Sequence, residues 1–339
     1  MKVKILYSYL IFNILKNFFA LVGVFSIVIV SSQLLHLPSI IYHASFLDFL
    51  KVLILINFSF FKFILLFGIF IASALVGYSL RENREIYAIY SAGISQNQIL
   101  KPVIFFSAVF SILAFLTSLW IVPSANRERA KFLTFSVRQY FLDAIQEKNF
   151  TELSKNTLVY VDSRENGKFK KIFFFNKENK QIITSEEAYF KGLNLHLKNG
   201  YIQIPTDKGI NLIIFKDDKF AVDIDYLKSY ELEDFENSKL VKILREGKEN
   251  RYKALSILTE RFFFPIPFLF IGVLGLLIGL KTIKGKDYVL ALIVGISIVY
   301  IVLNFYLLKL ISKGSLNPVV YAVLLTSYFS ALTYYFYRK

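Results

Sequence analysis

The sequence predicts a membrane protein of six transmembrane helices, three on each side of an inserted all-β domain of jelly-roll character. Three observations carry this: an apolar excess, its confinement to the two ends of the chain, and a change of hydrophobic period between them. Of the 339 residues 55% are apolar, including 36 Phe and 21 Tyr, whereas a soluble chain usually holds about 45–50%. A bilayer is the solvent that absorbs the difference.

The charge divides with the apolar residues. Residues 126–253 hold 24 Lys and Arg against 20 Asp and Glu, a net of +4, so the other 211 residues carry +11 of the total +15. Basicity attached to the spans acts as a topology signal and attracts anionic lipid. No basic stripe with stacking aromatics points to nucleic acid. The absence of Cys removes disulfides, Cys-ligated zinc, iron–sulfur clusters and thiol catalysis.

Six segments are long enough for a hydrocarbon layer that takes about 20 helical residues. They are Asn17–Leu35, Val52–Leu80, Pro102–Val122, Phe262–Leu280, Tyr288–Leu308 and Leu316–Phe336. The first follows Lys2, Lys4 and Lys16 as a signal peptide would, but without a small-residue cleavage site it reads as a retained anchor, with Ile5–Leu15 lying along the interface before it. With the N-terminus inside, the inner segments carry ten basic residues (Lys2, Lys4, Arg81, Arg84, Lys101, Lys281, Lys284, Lys286, Arg338, Lys339) and the short outer loops three (Lys51, Lys309, Lys313). Both termini are thereby expected in the cytoplasm and residues 126–253 outside.

The insertion is expected to open with a helix, Asn126–Gln146, polar at Arg127, Glu128 and Lys131 and apolar at Phe132, Phe135, Tyr140 and Phe141. Short β-rich runs follow at Leu158–Val161, Phe169–Phe175, Ile182–Ala188, Leu193–Leu197, Tyr201–Ile204, Leu212–Phe215 and Phe220–Ile224, with hairpin signals at Asn166-Gly167, Asn199-Gly200, Asp207-Lys208-Gly209 and Asp217-Asp218. Strands at this spacing imply a small antiparallel sandwich or jelly roll. A polar helix over about 238–259 returns the chain to the membrane. The domains are thus 1–125 (spans one to three), 126–253 (β domain with flanking helices) and 254–339 (spans four to six).

Catalytic chemistry finds no constellation. His36, His43 and His196 lack metal-site spacing, and Gly279–Lys286 has five residues between its glycines where a phosphate loop has four, with Asp287 in place of Ser or Thr. The chain is expected to be no enzyme, and to bind no metal or cofactor of its own.

Two constellations remain. Between spans two and three, Arg81 and Glu85 stand at i, i+4, Ile86, Ile89 and Tyr90 form an apolar strip, and Gly93 supplies a helix stop. Such a segment, 81–95, either lies on the lipid surface or docks a cytoplasmic partner, its strip entering a groove. Within span two, Lys62 lies about eleven residues, roughly 16 Å, from the outer start. A mid-bilayer Lys costs on the order of 3 kcal/mol, so it meets an anionic headgroup in a cavity, snorkels, or pairs with another subunit. Lys16, the second headgroup candidate, reads more simply as an interfacial topology residue.

The loop pattern Arg81-Glu82-x-x-Glu85-Ile86-x-Ala88-Ile89-x-x-x-Gly93-Ile94-Ser95 resembles that of the lipopolysaccharide export permeases, the LptF/LptG family of ABC transporter subunits. The resemblance runs over nearly the whole chain. Arg261-x-x-x-Pro265 is similar to the opening of that family's fourth span, Ile278-Gly279-Leu280 with Gly285 to its Leu-Gly turn, Tyr300 to its fifth-span aromatic, and Gly314-Ser315-Leu316-Asn317-Pro318 to the approach to its sixth. Leu197-Lys198-Asn199-Gly200 resembles its periplasmic jelly-roll hairpin. Asn317 replaces a usual Pro, Pro267 is an additional one, and the shared motifs do not separate the F from the G paralogue.

The resemblance implies a permease that extracts lipopolysaccharide and passes it to a periplasmic jelly-roll bridge. It implies a cytoplasmic ABC ATPase dimer that uses the ATP, a paralogous six-span subunit and room for a single-span accessory subunit. Glu85 becomes the central coupling contact, supported by Arg81 and Arg84, with Gly93 ending the helix. A mechanotransmitting ABC subunit, or a membrane-anchored periplasmic scaffold that moves no lipid, is the alternative.

Overall fold

The computed structural model describes residues 2–35, 37, 45–132, 145–154, 157–165, 167–191, 194–206, 209–220, 232–247 and 250–338. It comprises two compact units: Met1–His36, Leu50–Arg129 and Tyr230–Lys339 form one, Leu37–Phe49 and Ala130–Ser229 the other.

Among the described residues five helices are long and apolar enough to cross a membrane: α1 (Lys2–Leu34), α2 (Phe46–Glu82), α4 (Gln96–Phe132), α8 (Lys286–Ser312) and α9 (Pro318–Arg338). A short α3 (Glu85–Ser91) joins α2 to α4, and α5 is Asn237–Glu246. The expected fourth span is two helices, α6 (Arg251–Phe263) and α7 (Phe268–Lys281), bent by 52°. Pro265 and Pro267 sit in the break, where each lacks the N–H that a continuous helix would use. Ser111 of α4 donates to the Pro265 carbonyl at 2.9 Å.

Two helical expectations change. Ile5–Leu15 is no separate interfacial segment: α1 is unbroken, and Leu10 and Ile14 are fully buried in the helical core. The return helix expected over 238–259 is split at Gly247, whose φ of 65° ends α5, and its second half becomes α6. In α4, residues Thr117–Ile121 form a π-helical turn.

The second and fourth spans meet backbone to backbone through small residues. A Cβ on Gly279 would stand 2.2 Å from the Ala74 carbonyl oxygen, one on Gly275 2.6 Å from that of Phe70, and one on Gly77 2.3 Å from that of Leu276. This is the small-xxx-small packing that lipid-embedded helices use, since lipid tails supply no hydrophobic drive between them. Gly279 is therefore an interior contact residue of α7, not part of a turn; the turn comes after Lys281.

In the second unit six strands pair antiparallel in chain order: β1 (Phe150–Ser154), β2 (Thr157–Glu165), β3 (Lys168–Asn176), β4 (Ile182–Lys191), β5 (Asn194–Thr206) and β6 (Gly209–Phe220). Every connection joins neighbours, so the described strands form one meander and not the two-sheet order of a sandwich or jelly roll. Its buried face holds Val159, Val161, Phe169, Ile172, Phe174, Ile183, Ala188, Leu195 and Leu197.

The Asn199-Gly200 and Asp217-Asp218 signals are not turns. Both lie inside long strands, β5 and β6. Pairing is interrupted there along a line: Ser185 pairs with Gly200 and Glu187 with Lys198 while Glu186 and Asn199 are skipped, and Lys171 is skipped likewise in β3. Lys171 and Asn199 have φ of 48° and 49°. The inward positions change parity across this crease, from Phe169 to Ile172 and Phe174, and from Ile183 to Ala188. Ser185 closes it, its hydroxyl donating to the Glu187 and Lys198 carbonyls at 2.8 and 2.6 Å. Phe135, Tyr140 and Phe141 of the expected opening helix lie outside the described residues, as do His36, His43, Asn166, Asp207-Lys208 and the 221–224 part of the last expected strand.

The close approach makes a prediction. Gly279→Leu forces α2 and α7 apart and should destabilise the detergent-solubilised protein by about 1–3 kcal/mol, read as a lower unfolding midpoint. Gly23→Ala, where a Cβ meets nothing within 4 Å, should leave the midpoint unchanged or raised.

Candidate functional site

The α2–α4 connection is held by its own geometry. Arg81 belongs to the last turn of α2, which ends at Glu82, and α3 starts anew at Glu85 after Arg84 takes φ of 59°. That left-handed residue interrupts the helix between Arg81 and Glu85, so the i, i+4 pair expected of them does not form. The Arg81 guanidinium lies 5.3 Å from the Tyr78 ring centre instead. Arg84 is exposed.

Glu85 is half-buried and engaged on both oxygens. The Tyr9 hydroxyl of α1 donates to Oε2 at 2.9 Å, and Asn83 Nδ2 to Oε1 at 3.3 Å. Gly93, with φ of 79°, ends α3 as the sequence suggests. Its N–H bonds to the Tyr90 carbonyl at 2.9 Å and the Ile94 N–H to that of Ile89 at 3.3 Å, the paired bonds of a Schellman motif. Ser95 then opens α4, its N–H bonding to Gln98 Oε1 at 3.0 Å.

Of the expected apolar strip, Ile86 and Ile89 face the other way, while Tyr90 stays exposed. Ile86 is only 5% exposed and packs in the helical core, and Ile89 and Ile94 lean on the same core. The surface left for a partner is Arg84, Tyr87, Ala88, Tyr90 and Ser91 beside the half-buried Glu85, with Tyr87 61% and Tyr90 40% exposed. A partner would therefore meet two tyrosines, a cation and small residues, and not the two isoleucines.

Lys62 has a partner that sequence reasoning missed. Its Nζ lies 2.5 Å from Glu260 Oε1 of α6, the two side chains being 14% and 20% exposed, and 5.2 Å from the ring centres of both Phe63 and Phe264. The pair sits beside the proline break. Depth also changes the reading of Lys62. From Lys62 to Arg81 runs an uncharged stretch, Phe63–Leu80, of roughly 27 Å at 1.5 Å per residue. That alone approaches the thickness of the hydrocarbon layer, and a layer laid over this stretch would put Lys62 at a boundary and not at the midplane. Between Arg261 and Lys281 the fourth span holds the matching run Phe262–Leu280. The signal for Glu260 was available: a lone acid at the head of an apolar run, at the same depth as a lone base. Lys16 is exposed on α1.

Arg261, next to this pair, is 5% exposed. Its Nη1 donates to the Phe235 carbonyl at 2.9 Å and to Asn237 Oδ1 at 2.7 Å, and its Nη2 to the Glu233 carbonyl at 2.7 Å. Asn237 Nδ2 in turn donates to the Leu119 carbonyl at 3.0 Å, within the π-helical turn. Arg127 pairs with Glu236. One arginine thus secures the segment 233–237 to the bundle. Two further motif positions gain physical roles. Gly314, at φ of 76°, ends α8 against the Tyr252 ring. Asn317 Oδ1 accepts the Val319 N–H at 2.8 Å, so it caps α9 where the family's usual Pro could not.

Breaking a largely buried ion pair strands one charge. Lys62→Met or Glu260→Gln alone should lower stability by about 3 kcal/mol, whereas Lys62→Met/Glu260→Met should recover most of it. A double variant as unstable as the sum of the singles would show that the two side chains do not interact.

The whole-chain pattern has relatives. A 25% identical match of 150 residues, 44% of this chain, is found in an uncharacterized protein of Rickettsia prowazekii (strain Madrid E), of which it spans 41%. A second, 23% identical over 265 residues, covers 76% of this chain and 86% of an uncharacterized protein of Aquifex aeolicus (strain VF5). The family described as lipopolysaccharide export system permease LptF/LptG matches residues 8–339. With its apolar helices and inserted antiparallel sheet, the chain belongs to the LptF/LptG family of lipopolysaccharide export permeases.

Proposed function

We propose that the chain is one transmembrane subunit of an ABC exporter in the bacterial inner membrane. It extracts lipopolysaccharide or a similar glycolipid and hands it to a periplasmic jelly-roll bridge. The observation that supports this reading best is the family match over residues 8–339, joined to an exposed, internally braced loop between α2 and α4. ATP is used by a separate cytoplasmic ATPase dimer. A paralogous six-span subunit completes the cavity, and a single-span accessory subunit has room at its edge. The charge bias of the short loops supports cytoplasmic termini and a periplasmic β domain.

In this reading Glu85, Arg84 and Tyr87 meet the ATPase, while Arg81 and Gly93 hold the loop's ends. Tyr87 and Arg84 have the chemistry that dominates protein interfaces. Lys62 is engaged by Glu260, so Lys16 is the lysine of the two left to approach an anionic headgroup.

Co-expression with the export ATPase of the same cell tests the reading. The affinity-purified permease should carry the ATPase with it, and Glu85→Ala or Tyr87→Ala should reduce the co-eluting ATPase about tenfold while the permease keeps its unfolding midpoint. Absence of ATPase from the unmutated preparation, or full retention in both variants, would overturn it.

A further inference from the structure

The loop between α2 and α4 is gripped at both ends by phenols from helices to which it has no covalent link. Tyr9, near the start of α1, donates to Glu85 Oε2 at 2.9 Å. Tyr337, near the end of α9, donates to Asn97 Oδ1 at 2.8 Å. Glu85 is the first residue of α3 and Asn97 the second of α4, so the two contacts bracket the loop.

Each phenol sits on a firmly seated helix end. Leu10 and Ile14, following Tyr9, are fully buried, and Phe336, preceding Tyr337, is nearly so. The Tyr9 bond ends on a carboxylate and is of the stronger, charge-assisted kind. Aromatic residues gather at membrane interfaces for solvation reasons alone. That preference accounts for tyrosines at this depth, but not for two hydroxyls that both end on polar side chains of one loop.

We propose that Tyr9 and Tyr337 are positioning residues that tie the loop to the first and last helices, so that a displacement of the loop moves four helices and not two. The proposal rests on the ATPase-coupling reading above. Covalent linkage carries motion to α2 and α4. The phenols extend it to α1 and α9.

The Cys-free chain allows spin labels at chosen sites. Phe12→Cys on α1 and Ile104→Cys on α4 are both outward-facing, and Leu324→Cys reports on α9 in the same way. In the full permease–ATPase complex in lipid vesicles, a non-hydrolysable ATP analogue should change the distance from the α4 label to the α1 and to the α9 label. Tyr9→Phe should abolish the first change and Tyr337→Phe the second. Lipid released per ATP hydrolysed should fall about threefold in each, with co-eluting ATPase unchanged.

A Tyr9→Phe/Tyr337→Phe complex with parental distance changes and parental release per ATP would overturn the proposal, as would unchanged distances in the labelled parent. A merely structural loss would lower the unfolding midpoint and leave the ratio of release to hydrolysis intact, which also overturns it. If the unmutated permease carries no ATPase, the functional reading itself fails and takes this proposal with it. If the ATPase is carried and the phenylalanine variants couple normally, this proposal alone fails.

Discussion

The backbone contact between α2 and α7 is the constraint on which the rest of the membrane unit depends. Gly77, Gly275 and Gly279 let two helices approach until carbonyl oxygens stand where side chains would otherwise be. In lipid there is little hydrophobic gain from bringing helices together, so dispersion across such a close contact has to hold them. The contact also fixes relative height. With Gly279 set against Ala74 and Tyr78, the uncharged runs Phe63–Leu80 and Phe262–Leu280 occupy the same depth, and the charges at their ends, Lys62 and Glu260, come within 2.5 Å. The ion pair is a consequence of the glycine register as much as a cause of it.

The break in the fourth span follows the same economy of polar groups. Pro265 and Pro267 end α6 and open a gap before α7, and a carbonyl left free in hydrocarbon costs several kcal/mol, on the order of an unmade hydrogen bond in an apolar medium. The Pro265 carbonyl accepts the Phe268 N–H at 3.1 Å, and Ser111 adds a second bond to it. The same problem arises at the π-helical turn of α4, where Asn237 meets the Leu119 carbonyl and is itself held by Arg261. Irregular backbone is tolerated here because side chains from neighbouring segments satisfy it. Arg261, Asn237 and Ser111 are therefore better understood as acceptor management around two defects than as a ligand site.

How much of this could be read from residues alone varied with the range of the interaction. Spans were visible because hydropathy is a local sum. The helix stop at Gly93 was visible because φ preference belongs to one residue. Asn199-Gly200 was misread because the same residue pair that favours a tight turn also favours the positive φ of a crease, and only the pairing of Ser185 with Gly200 distinguishes them. Among the described strands the order is a single meander and not the two-sheet order expected from strand spacing, since spacing reports hairpins and a crossover needs a long connection. Glu260 was missed because a charge at the edge of an apolar run looks like a span boundary until its partner, 198 positions earlier, is placed beside it.

The loop shows how such long-range terms hold a short helix in place. A seven-residue helix has too few internal hydrogen bonds to persist by itself in water. Here it is maintained by the burial of Ile86, the turn at Gly93, the left-handed Arg84 and the bond from Tyr9. Each of these except the Arg84 conformation draws on the helical bundle or on the chain that enters it. An element so held cannot be displaced as a loose flap: pushing it strains α1, α2 and α4 together. The inward isoleucines are the clearest part of this arrangement. By spending Ile86 and Ile89 on its own core, the chain leaves Tyr87 and Tyr90 as the apolar part of the exposed face and acquires a helix stiffly seated on the bundle.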